Sequence, residues 1–228
     1  MSYTFENQQD KLSQLLGDSN TSTDDMFPLA DRKKAINRGE INFARDSKLL
    51  KEYATGTVAS MEIDVPSDWI ETFQLIIDDK VITNKREIAL SDWERYKDYA
   101  GDIPFYYFWE FSGTRKIKLV GGSGAINGDT YKLYYFKKPT TELDADADVS
   151  LFPEEYREAS VFYAAAQLLE QIGKTQLADR YRMMYGVYVQ NAMADGEKHY
   201  INKEYPVPDF GEDDHASEVD IQGKGYQY

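Results

Sequence analysis

The residues best able to hold a metal ion are gathered in one short stretch. Asp144, Asp146, Asp148, Ser150, Phe152 and Glu155 fall at the first, third, fifth, seventh, ninth and last places of a roughly twelve-residue calcium-loop spacing, in which carboxylates converge on one hard cation. Leu151 supplies an apolar residue at the eighth place. The sixth place is Val149, where such a loop needs a glycine for its sharp turn, and Pro153 stiffens the chain further. A strand pattern precedes the stretch where a calcium loop would follow a helix. These residues therefore favour a solvated acidic linker, with Asp144, Asp146, Asp148 and Glu155 as the ligands if an ion binds.

Other candidate chemistry is weaker still. The run from Gly121 to Gly128 superficially suggests a phosphate loop. No Lys-Ser or Lys-Thr follows it and the next pattern is a strand, so no helix N-terminus would face a phosphate; a hairpin loop is expected. His199 and His215 are the only histidines, both at or in the C-terminal segment, which leaves none for a triad or a two-histidine metal site in the folded body. Tyr107 and Trp109 could stack a sugar, but aromatic core packing of a small sheet explains them better. No cofactor motif is present, and the sequence points away from an enzyme.

Composition narrows the partners. The chain of 228 residues has a net charge of −14, with basic groups interspersed among acids, so it lacks the Lys and Arg clusters that wrap nucleic acid. It has no cysteine, hence neither disulfides nor thiolate metal sites. The N-terminus shows no signal-peptide pattern, and no stretch approaches the roughly 20 apolar residues of a membrane helix, so a soluble protein is expected. Apolar residues make up 42% and eighteen tyrosines dominate the aromatic share, which suits thin cores and interfaces where a ring is buried and its hydroxyl stays wet.

The elements that must position these residues follow from periodicity. Phe5, Leu12, Leu15 and Leu16 predict an amphipathic helix over 4–16 that stops at Gly17. Leu29, Ile36, Phe43 and Leu50 recur every seven residues, and with Ala30, Ala44 and Tyr53 they predict a second helix from about Pro28 to Tyr53. Gly39 inside it would suit a close helix crossing. From Thr57 the period changes to two: Met61, Ile63 and Val65, then Phe73, Leu75 and Ile77 with a turn at Asp78-Asp79-Lys80. A single helical turn capped by Ser91-Asp92 carries Trp93 and Tyr96. Phe105–Phe111 is aromatic on both faces, and Ile117 with Leu119, then Tyr131, Leu133 and Tyr135, mark two further strands.

After an acidic linker, Pro153 opens a helix with Glu154 and Glu155 in its first turn and a face of Tyr156, Ala159, Tyr163, Ala166 and Leu169, ending at Gly173. Thr175 starts a last helix with the stripe Leu177, Tyr181, Met184, Tyr188 and Ala192, antiparallel to its neighbour because the connection is short. Periodicity ends after His199. Residues 200–228 carry seven acids and two lysines and cannot build a core alone. The expected fold is α+β: a discontinuous helix bundle from 1–55 and 150–198, an inserted antiparallel β-sandwich or barrel at 56–140, an acidic linker at 141–149 and an extended tail at 199–228.

The order of these patterns resembles a known family. Ala30-Asp31-Arg32-Lys33-Lys34-Ala35-Ile36-Asn37-Arg38-Gly39 through Phe43-Ala44-Arg45 is similar to the opening helix of tailed-phage head–tail adaptor (connector) proteins. Val65-Pro66-Ser67-Asp68-Trp69 followed by Ile76-Ile77-Asp78-Asp79-Lys80 resembles their strand, kink and hairpin. Phe152-Pro153-Glu154-Glu155-Tyr156-Arg157-Glu158-Ala159 with Tyr163-Ala164-Ala165-Ala166 resembles their long C-terminal helix. Together these span about residues 28–195.

The resemblance implies a homo-oligomeric ring of about twelve copies beneath the portal protein, in the virion neck, with tail or neck proteins attached below. DNA would pass through the channel without specific binding during packaging and genome ejection. It also implies that the C-terminal extension reaches the portal. On composition and this resemblance, Tyr200, Ile201, Tyr205, Val207, Phe210, Tyr226 and Tyr228 are the expected docking residues. Another phage neck or tail-tube protein, or a carbohydrate-binding β module, is the alternative.

Overall fold

The computed structural model describes residues 3–18, 26–82, 105–111, 114–120 and 128–202. Helix α1 spans Phe5–Leu16 and α2 Leu29–Ser47. Seven strands follow: β1 Lys51–Thr57, β2 Glu62–Asp64, β3 Trp69–Ile77, β4 Lys80–Val81, β5 Phe105–Phe111, β6 Thr114–Val120 and β7 Thr130–Lys137. A 3₁₀ turn at Glu154–Tyr156 leads into α3, Glu158–Gln171, and α4, Thr175–Asn202. The expected turn around Trp93 and Tyr96 and most of the glycine loop, 121–127, lie outside the described residues.

The helices form one packed unit with α3 at its centre, against α1, α2 and α4. Four α3 residues explain this position: Ala159, Ala164, Ala165 and Ala166 are all buried, and small side chains let three neighbours approach. The single face expected for α3 is therefore most of its circumference. Gly39 of α2 meets α3 where an added Cβ would lie 2.4 Å from the Ser160 carbonyl oxygen, so glycine is needed there for the close crossing. The α3 C-terminus forms a Schellman motif: Gly173, at φ 75°, donates its N–H to the Glu170 carbonyl, and Lys174 donates to that of Leu169. Thr175 then starts α4 at once, antiparallel to α3, with Phe162 beside Tyr181 and Tyr188.

The second helix ends sooner than its heptad-like pattern implies. Lys48 turns left-handed at φ 51°, its N–H bonded to the Ala44 carbonyl, and the chain enters β1 three residues later. Leu50 and Tyr53 thus belong to the helix–strand junction and the strand. A strand can carry the same apolar recurrence by coincidence, and pairing with β7 along the whole of β1, from Lys51↔Phe136 to Thr57↔Thr130, decides between them.

The strands form two open antiparallel sheets, β1-β7-β3-β4 and β2-β6-β5, in place of a closed barrel. Ile63, Ile117 and Leu119 of the smaller sheet share one apolar cluster with Leu75, Ile77 and Leu133 of the larger. Asp78 and Asp79, both at positive φ, make the two-residue turn from β3 to β4. A register shift between Thr72 and Gln74 reverses part of the expected alternation. Thr72 is buried with Leu75, while Phe73 turns to the opposite face against Tyr134 and Phe136. A bulge adds one residue to a strand and so flips side-chain parity.

A third apolar cluster joins the two parts. Phe43, Ala44, Phe152, Tyr156, Ala159 and Ala192 pack there, with Leu49, Leu50 and Ile70 against them. Phe43 and Phe152 meet edge to face at 4.8 Å.

Candidate interaction surfaces

The acidic linker is a strap bound across the helices. Backbone carbonyls of Asp148 and Asp146 accept the N–H groups of Phe5 and Glu6 at 2.8 and 3.1 Å, satisfying donors that α1 leaves open at its start. Asn37 of α2 holds Leu143 through two hydrogen bonds, donating to its carbonyl and accepting its N–H. Lys33 donates to the carbonyl and carboxylate of Asp144. The linker's acidic side chains are largely exposed, as expected, while its backbone is bound and completes α1.

Three of the four proposed calcium ligands are directed to separate partners. Asp148 accepts the N–H groups of Asp144 and Ala145, which hold its carboxyl below the usual range. Asp144 faces Lys33, and Asp146 accepts from Gln9 Nε2 at 3.3 Å. Glu155 lies in the 3₁₀ turn. Among the described residues, no three carboxylate or imidazole side chains are grouped as a metal site would require.

Beneath the strap lies a buried polar cluster invisible to periodicity. Glu40 of α2 accepts hydrogen bonds from Gln8 Nε2 at 3.1 Å and Ser150 Oγ at 2.5 Å. Gln8 also donates to the Arg157 carbonyl and Ser160 Oγ. The cluster joins α1, α2, the strap and the start of α3. Burial raises the Glu40 carboxyl above its ordinary value of 4.5, against the opposing effects of Ser150, Ser160, Gln8 and the Arg157 charge. The signal available in sequence was an acid directly after Gly39, the expected crossing point, too common a pattern to single out.

Helix α4 has two unlike faces. Its inner face packs Ala178, Tyr181, Tyr185, Tyr188, Val189 and Ala192 against the bundle. The tyrosines anchor it by their hydroxyls: Tyr185 donates to Asp46 Oδ2 at 2.6 Å, Tyr188 to Glu158 and Tyr181 to the Leu15 carbonyl. Asp195 in turn accepts from Tyr156, whose hydroxyl is pushed up to about 12 by burial and by this carboxylate. Burial and Asp46 likewise raise Tyr185. Met184, expected in the packed stripe, is exposed.

The outer face carries Arg180, Met183, Val187, Gln190 and Ala194 at helical spacing, with Met183 67% and Val187 50% exposed. Residues 183–194 contain no charged side chain, in a chain where 29% of residues are charged. An uncharged exposed stripe of this length is a candidate interface.

Two further features are open. A groove of about 360 Å³ runs between α2 and the strap, lined by Asn37, Glu40, Ile41, Leu143, Val149 and Leu151. Leu151 is 58% exposed at its rim. On the larger sheet, Tyr53, Tyr134, Phe73 and Phe136 form a connected aromatic row, with the Lys48 and Lys51 ammonium groups about 6 Å from the Phe136 ring.

A family model described as SU10 adaptor protein, a phage head–tail adaptor family, matches residues 4–208. The chain belongs to that family. No curated relative matches it. As a tailed-phage adaptor it belongs to a structural family that is not normally enzymatic. No helix among the described residues is long and apolar enough to cross a membrane.

The docking residues expected in this adaptor are placed only in part. Tyr200 and Ile201 continue α4, which runs to Asn202 and so past the expected end of periodicity at His199. Tyr205, Val207, Phe210, Tyr226 and Tyr228 lie outside the described residues, as do the side chains of Tyr107 and Trp109.

Proposed function

We propose that this adaptor forms a ring beneath the portal protein in the virion neck, extends the DNA channel and offers the attachment surface for tail proteins. The family match carries this reading, because it covers both helical segments, the sheets and the start of the C-terminal segment in one span. Three observations support it. The long α4 presents an outer face that carries no charge over residues 183–194, suited to a neighbouring protein. A net charge of −14 suits a conduit that lets a duplex pass without counterion release. The segment after Asn202 is acidic but carries Tyr205, Val207 and Phe210, a composition suited to ordering on a partner.

The channel role needs no reaction: the helical unit forms the ring and the sheets face the tail or the exterior. The C-terminal segment then reaches the portal through Tyr200, Ile201, Tyr205, Val207, Phe210, Tyr226 and Tyr228. Electron microscopy of the chain co-expressed with its portal tests the reading. An extra ring on the portal's outer rim is expected, and a bare portal beside free monomer would overturn it. Truncation after Asn202 leaves α4 whole and is expected to abolish portal binding while the chain stays folded; unchanged binding would remove the tail from the mechanism.

A further inference from the structure

Two features of the helical unit lie on different elements and have complementary shapes. The α4 stripe is convex, with Met183 and Val187 standing out from a regular helix. The groove beside the strap is concave, with Ile41, Val149 and Leu151 on its walls. None of the groove's lining residues comes from α3 or α4. Helix α3 packs against both α2 and α4, and α4 turns its inner face, with Tyr185 on Phe43, towards α2, so the stripe on its outer face points away from the helix that carries the groove.

Charge is complementary as well. Of the groove's three acids, Glu40 is buried and hydrogen-bonded to Gln8 and Ser150, which leaves exposed Glu142 and partly exposed Asp148 to face a partner. Beside the stripe, Arg182 is paired with Glu170 and Asp179, and Lys174 and Arg180 are the further cations of this end of α4. Lys174 and Arg180 are both exposed. A stripe of methionine and valine with Arg180 at one end matches a groove with apolar walls and carboxylates at its rim.

We infer that the occupant of the groove is the α4 stripe of a second copy of this chain. Met183 and Val187 would enter between Ile41 and Leu151, with Arg180 directed to the acidic lining. Because the two surfaces differ, the contact is head-to-tail: each copy uses its stripe on one neighbour and its groove on the other, the arrangement from which rings are built. This deepens the ring reading by naming the surfaces, and it places the strap, rather than the sheets, at the contact between copies.

Absence of native cysteine gives a clean test. Two full-length variants, Val187→Cys and Leu151→Cys, are distinguished by mass tags and treated with a short bismaleimide, alone and mixed. The reaction is run on free protein over a concentration series and on the portal-bound fraction. The mixture is expected to give a stripe-to-groove link, with little from either variant alone. A dominant Val187→Cys link to itself would mean a symmetric helix pair and overturn the assignment. So would no link above an Asp78→Cys control, at the β3–β4 turn, in both settings.

Val187→Glu is expected to weaken self-association by about tenfold or more, and an unchanged assembly would also overturn it. Portal binding without the stripe-to-groove link leaves the adaptor reading and removes this contact. The link without portal binding does the reverse.

Discussion

In the helical unit and its strap, Gln8, Gln9, Ser13, Arg32, Glu40, Ser47, Ser150 and Ser160 are all buried; among the described residues, the sheets bury only Thr72 of this kind. The sheets instead share an apolar cluster built from Ile63, Leu75, Ile77, Ile117, Leu119 and Leu133. The difference reflects how each part fixes its register. A strand slipped by one residue turns its whole apolar set outward, so the period-two pattern, the bulges in β3 apart, fixes the register of the sheets. Alanine-rich helices can slide or rotate with smaller loss of packing. Hydrogen bonds from Gln8 to Glu40, Ser160 and the Arg157 carbonyl hold α1, α2 and α3 in one relative position.

The sharpest way to break the comparison is at the cluster that both parts share. Phe43→Ala removes a fully buried ring from the junction and should cost about 3–5 kcal/mol in denaturant unfolding. Because α2 and the start of β1 both pack there, a single cooperative loss is expected; separate transitions would show that the parts are independent.

Next come two glycines of opposite sign. Gly39→Ala places a methyl against the Ser160 backbone and should destabilise by about 1–3 kcal/mol. Gly186→Ala, with nothing within 4 Å of its added Cβ, should stabilise α4 by up to about 1 kcal/mol. Equal effects at the two sites would remove the close crossing as the reason for Gly39.

A smaller effect is titratable. Glu40 has a raised carboxyl in the folded state, so its contribution is fully present below the ordinary 4.5 and declines as pH rises through the folded value. Asp148 is depressed by the N–H groups of Asp144 and Ala145, so its contribution is present above the ordinary 3.8 and is lost as pH falls through the folded value. Melting temperature against pH should therefore show Glu40→Gln gaining on the parent as pH rises above 4.5, and Asp148→Asn gaining on it as pH falls below 3.8. Parallel curves for parent and variants would mean that neither carboxylate is held as described.

The least effect belongs to the outer face of the larger sheet. Tyr53 is 59% exposed, and Tyr53→Ser should change stability by no more than about 0.5 kcal/mol. A larger loss would mean that the Tyr53–Tyr134–Phe73 row is part of the core and not a surface.

Local signals carried well where the chain meets only itself. The stop at Gly17, the Schellman glycine Gly173, the start of α4 at Thr175 and the Asp78-Asp79 turn were all legible, because each depends on backbone geometry within a few residues. The apolar alternation at Leu133 and Tyr135 was legible for the same reason, and both are buried. Leu50 and Tyr53 were misread because their spacing satisfies a helix and a strand alike. Phe73 was misread because a bulge against β7 reverses its face. The strap's exposed acids were legible, but its backbone role was not, because composition says nothing of the carbonyls that complete α1.

The sequence by itself determined the order of helices and strands, the terminal signals of most helices, the acidic balance and the family resemblance that the match over 4–208 bears out. Only the tertiary structure decided that α2 gives way to β1 at Lys51, that the sheets stay open, and that Glu40 is buried. It alone also showed that α4 turns Met183 and Val187 outward. Backbone conformation is set by neighbours along the chain, but burial, register and the free face of a helix depend on what distant segments bring beside it.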